Sequence, residues 1–135
     1  MNDLNPKSFL TMAQKRLRAA EVLMSSYGED VERSIGSELG RASEMLLKSI
    51  ILSCGVLPAR IHRISKLFDE AETLSSTDLG EFYPLVKLED YLGSGCYLES
   101  EVLITESDFN DLIALAYNLV SLVKKRIDQG IKSED

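Results

Sequence analysis

Ala42-Ser43-Glu44-Met45-Leu46-Leu47-Lys48-Ser49-Ile50-Ile51-Leu52-Ser53-Cys54-Gly55 reads as the last turns of a helix that is apolar nearly all round. A helix of that kind is shielded on every side. It predicts an all-α bundle with this segment near the centre. Lys48 interrupts the apolar run, with Glu44 four residues before it, the favoured order for a helical ion pair. Two readings of Lys48 stay open. In the first, it pairs with Glu44 or snorkels its stem to the surface. In the second, the cation is kept beside a groove to meet a phosphate or a partner's carboxylate. Ser34, Ser37 and Arg41 fall on the same seam at helical spacing, so Arg41 would reinforce the second reading.

Beyond this segment, Gly55 is the expected helix stop, and Pro58 and His62, the only histidine, lead into a second periodic stretch. Its apolar face, Ile64, Leu67, Phe68, Ala71 and Leu74, predicts a helix over about 61–74. His62 stands among Arg60, Arg63 and Lys66. Those cations disfavour protonation of the imidazole and make a small basic patch where a helix begins, a place that accepts anions. The alternative is that His62 simply packs at the helix entry.

Upstream, Asn5 is the expected N-cap with Pro6 at the first helical position. Phe9, Ala13, Leu17, Ala20 and Met24, flanked by Leu10 and Leu23, give one buried stripe, opposite Lys15, Arg18 and Glu21. Tyr27-Gly28 ends that helix, and the next covers about 30–54. Downstream, Ser75 to Asp78 is a break with Thr77 as a candidate cap, and Pro84 forbids one regular helix from 78 to 91. A short helix is expected over about 83–91, then an irregular segment from Gly93 to about Ile104. The last helix starts at Thr105 or Ser107, with Asp108 placed as in a capping box, and runs to Gln129 with Gly130 as its stop. No period-two alternation between hairpin turns is present, so no sheet is expected.

The 135 residues make one domain, 1–135, with its core over about 6–130, in an up-and-down bundle of four to five helices. No run approaches the ~20 apolar residues of a membrane span. The N-terminal residues have no secretory pattern, so the expected location is cytoplasmic. Cys54 and Cys96 form no metal or redox spacing, and Cys54 is expected to be a buried free thiol. Between Leu88 and Val123 lie seven acids and no Lys or Arg, which alone matches the net charge of −7. That argues against nonspecific nucleic-acid binding there and allows a basic partner. One histidine, no nucleophile elbow, no phosphate loop and no ligand cluster leave no expected catalytic residue, metal or cofactor.

The order of these pieces resembles the HEPN domains of prokaryotes over roughly Ser8 to Ile127. Glu44-Met45-Leu46-Leu47-Lys48-Ser49-Ile50-Ile51 with Gly55 and Pro58 is similar to the family's second helix, and His62-Arg63-Ile64-Ser65-Lys66-Leu67 to the start of its third. Ile104-Thr105-Glu106-Ser107-Asp108 before an apolar helix resembles its last element. The resemblance implies dimerisation through helix faces, nucleotide or RNA binding, small nucleotidyltransferase partners in toxin–antitoxin pairs, and in some members ribonuclease activity. Those ribonucleases carry an Arg, four to six residues, and a His near the last helix. Here the positions upstream of His62 are Gly55, Val56 and Leu57, and no histidine follows it. The Arg-Tyr-Pro of many relatives is matched only by Cys96-Tyr97-Leu98. The expected function is therefore a non-catalytic module: a homodimer working with a nucleotidyltransferase-type partner. Arg41, Lys48, Arg60 and His62 are its candidate nucleotide ligands. A helical adaptor with no small ligand, or a ribonuclease toxin with a rearranged site, are the alternatives.

Overall fold

The computed structural model of the chain describes residues 5–60, 63–92 and 104–133. Among these residues there are four α-helices, one 3-10 helix and no strand: α1 (Pro6–Met24), α2 (Glu29–Ser53), α3 (Ile64–Ser75), a 3-10 segment η1 (Gly80–Tyr91) and α4 (Glu106–Ser133).

Two helix starts and two helix ends have a local cause. The Asn5 side chain accepts from the Ser8 backbone N–H at 2.8 Å, and Ser8 Oγ lies 3.3 Å from the Asn5 N–H, a reciprocal cap. Thr105 Oγ1 accepts from the Asp108 N–H at 3.1 Å, as the sequence suggests. α2 stops at Cys54, and Gly55 follows at φ 83°, the left-handed conformation that favours glycine. Ser76 closes α3 in the same region at φ 52°.

α2 is the central helix and touches every other element. Ile35, Leu39, Ala42, Leu46, Leu47, Ile50 and Ile51 are all buried along it. α1 lies antiparallel to it: Arg16 Nη1 meets Glu38 Oε1 at 3.0 Å, and Ser49 Oγ donates to the Pro6 carbonyl at 2.8 Å. α4 is antiparallel to α1, because Phe109 packs on Tyr27 while Tyr117 reaches Glu21. The up-and-down bundle is as expected.

Three boundaries differ from the sequence reading. α3 starts at Ile64, and Ile61 and His62 lie outside the described residues. The segment around Pro84 is longer than expected and is wound as a 3-10 helix. Pro84 has no N–H to give and its ring crowds the preceding turn, so an α ladder does not propagate through it. Leu79, Phe82, Leu85, Leu88 and Tyr91 are all buried and fall at every third residue. A helix of about three residues per turn puts such a series on one face. α4 runs through Gly130 to Ser133, since glycine weakens a helix by about 1 kcal/mol but ends it only in a left-handed cap. Thr77 does not cap a helix; its hydroxyl donates to the Ser75 carbonyl at 3.1 Å. The irregular segment expected from Gly93 lies, as far as residue 103, outside the described residues.

Candidate functional site

The seam on α2 forms as its spacing predicts, and it sinks into the protein along the helix. Ser34 is exposed, Ser37 and Arg41 are half-buried, and Glu44 is buried. Lys48 Nζ donates to Glu44 Oε2 at 2.9 Å, with the two side chains 13% and 5% exposed. At that burial the pair is weakly screened, and the carboxylate compensates the cation inside the fold. The first reading of Lys48 is the geometry observed.

Arg41 shares that face and makes no ion pair among the described residues. Arg60 stands exposed on the connection after α2. His62, the fourth candidate, lies outside the described residues, and of the other three only Arg41 and Lys48 share a helix, seven residues apart on one face of α2. Cys96-Tyr97-Leu98, Glu99 and Glu101 lie outside them as well. Arg63 and Lys66, the other cations near His62, are exposed.

The start of α3 already holds an anion from the chain itself. Glu89 Oε1, on η1, accepts from the Ser65 N–H and from Ser65 Oγ, each at 2.8 Å. Its other oxygen lies 3.9 Å from Arg63 Nε. Negative charge is favoured at that end of a helix, and here Glu89 supplies it.

Two features escaped the sequence reading. Arg126 is half-buried in α4 and its guanidinium reaches Ser53 Oγ at 3.5 Å, Thr77 Oγ1 at 3.4 Å and Cys54 Sγ at 3.7 Å. Its cation sits against the end of α2, where the helix dipole is negative. Local sequence carries no signal for it, since the residues it joins are 73 and 49 positions away in the chain. Cys54 is a free, half-buried thiol, less enclosed than expected, because it stands at the helix end. The second feature is an open groove of about 650 Å³ along α1, lined by Thr11, Gln14, Lys15, Arg18 and Ala19. Neither Arg41, Lys48 nor Arg60 lines it. The sequence places Lys15 and Arg18 only opposite the buried stripe of α1.

No group of three or more His, Cys, Asp or Glu side chains arranged to hold a metal occurs among the described residues. No helix among them is long and apolar enough to cross a membrane.

With the fold and this geometry in place, the chain also matches a family model. The model, described as HEPN domain, matches residues 7–127. The chain belongs to the HEPN family. The match spans all the described helices except the ends of α1 and α4. No curated protein and no solved structure matches the chain. For a HEPN domain the all-helical architecture is the family's own, and the bundle described above agrees with it.

Proposed function

We propose that this HEPN chain is a non-catalytic interaction module of the cytoplasm. In this reading it dimerises, works with a second protein of the small nucleotidyltransferase type, and holds a nucleotide through Arg41, Lys48, Arg60 and His62. The observation that carries the non-catalytic part is the lone His62, with Gly55, Val56 and Leu57 where the family's ribonucleases place an arginine. Without that pair the acid/base and the phosphate-directed cation are both missing.

Ligand binding rests on the α2 seam. Arg41 and Arg60 have no carboxylate competitor among the described residues and would meet a phosphate first. Lys48 would have to exchange Glu44 for the ligand, which makes it the weaker contact. The same pair favours the second reading, a helical adaptor with no small ligand, because Lys48 is already satisfied.

Native mass spectrometry of the protein drawn from its own cells tests partner, stoichiometry and retained ligand together. A nucleotide at a hundred times its Kd adds about 2.7 kcal/mol to stability, which thermal unfolding with added ATP detects. The expected result is a shift that Arg41→Gln and Arg60→Gln each reduce. Free protein with no ATP-induced shift leaves the adaptor. RNA cleavage by the purified protein that is lost in His62→Ala revives the ribonuclease.

A further inference from the structure

The charges of this chain are sorted by element. From Leu4 to Ala20 there are four cations, Lys7, Lys15, Arg16 and Arg18, and no acid. From Leu88 to Val123 there are seven acids and no cation. Arg16 is paired with Glu38. No ion pair joins Lys7, Lys15 or Arg18 to an acid among the described residues.

The outward side of α1 carries the groove and is flanked by exposed apolar side chains. Met12 is 44% and Val22 64% exposed. Lys15 and Arg18 stand between them, with the small Thr11 and Ala19 alongside. On α4, Glu106, Asp108 and Asp111 are all exposed at its start. Lys15 and Arg18 are three residues apart, as are Asp108 and Asp111, a rise of about 4.5 Å on either helix. The two sets therefore match in spacing as well as in sign.

We propose that the α1 groove docks the start of α4 from a second copy of this chain, and that the contact is reciprocal about a two-fold axis. The inference rests on the dimer reading above and assigns its surfaces. α1 against α1 would set cation on cation, which costs affinity. A two-fold arrangement pairs each α1 with the partner copy's α4 and closes the assembly with two equal contacts. Small groove residues let the helices approach, and Met12 and Val22 lose their exposure at the rim. The acids cannot serve α1 of their own chain in this way, because the start of α4 packs at the far end of α1, where Phe109 meets Tyr27.

Sedimentation equilibrium of the full chain tests the assignment. The wild type should dimerise, with a Kd that rises with salt. Lys15→Glu with Arg18→Glu should weaken the dimer about tenfold or more, because attraction turns to repulsion at both contacts. Asp108→Lys with Asp111→Lys should do the same, and a mixture of the two double variants should regain association, because one contact of the mixed dimer is then the native pair and the other is the same pair with its charges exchanged. Circular dichroism and thermal unfolding identify any variant that fails to fold. In that event Lys15→Gln with Arg18→Gln supplies the α1 test, with a smaller weakening expected. A dimer indifferent to the α1 variants, or a mixture with no regain, overturns this assignment and leaves the dimer reading standing. A wild type monomeric at every concentration removes both.

Discussion

Gly36 faces the ring of Tyr91, and a Cβ built there would collide with three of its carbons. Gly40, one turn on, lets Leu92 and the Leu88 carbonyl approach to within 3.2 Å of where its Cβ would be. These two positions let the 3-10 segment lie directly on α2. Alanine at Gly36 would gain up to about 1 kcal/mol of helix propensity. It would also force a buried ring that packs against Phe109, and overpacking costs about 1–3 kcal/mol, occasionally more. The clash wins: Gly36→Ala should lose about 1–2 kcal/mol, read as a lower urea midpoint at unchanged slope. Nothing in the local sequence distinguishes Gly36 from a helix-weakening glycine, since its reason lies 55 residues downstream in Tyr91. Glu44 and Lys48 were legible because their partnership is local, four residues along one helix.

At the scale of elements, the three long helices were readable because each carries an apolar stripe at the helical period, and α1 and α4 also have a capping residue at the start. The segment after α3 was only half readable. Its apolar residues recur at every third position from Leu79 to Tyr91, which was the available signal for 3-10 winding, but Pro84 pointed first to a break. That helix also serves its neighbour. Glu89 caps α3 from outside, so Glu89→Gln weakens and Glu89→Ala removes the acceptor for the Ser65 N–H and hydroxyl. The alanine variant should cost about 1–2 kcal/mol and speed amide exchange in the first turn of α3. Arg63→Gln is the control. Its guanidinium is exposed and 3.9 Å from the carboxylate, so its loss should move stability by under about 0.5 kcal/mol. The candidate ligand set was less legible than the fold. Spacing along one helix predicts that Arg41 and Lys48 share a face, but it says nothing of how Arg60, on a connection, is placed relative to them.

For the whole molecule, α1 and α4 share a polar seam that responds to alkali. The Tyr117 hydroxyl donates to Glu21 Oε1 at 2.7 Å. Burial first, and then the Glu21 bond and charge, push the Tyr117 pKa above its ordinary 10.0. A group raised in the folded state gives stability that is complete below the unfolded value and disappears as pH rises through the folded one. Thermal unfolding from about pH 9 upward should therefore show a steeper loss in the wild type than in Tyr117→Phe. Equal slopes would place the alkaline sensitivity elsewhere, with Tyr27, also raised by burial, the next group to replace. Arg126 gives the molecule a different kind of constraint, one of timing. It ties α4 to Ser53 and Thr77, residues made 73 and 49 positions earlier. A ribosome adding about 5–20 residues per second thus leaves the paired α1 and α2 waiting for seconds with one side open to water. During that interval the apolar side that α4 will cover is open to chaperones and to other nascent chains, and it closes only once the chain through Ile127 has emerged.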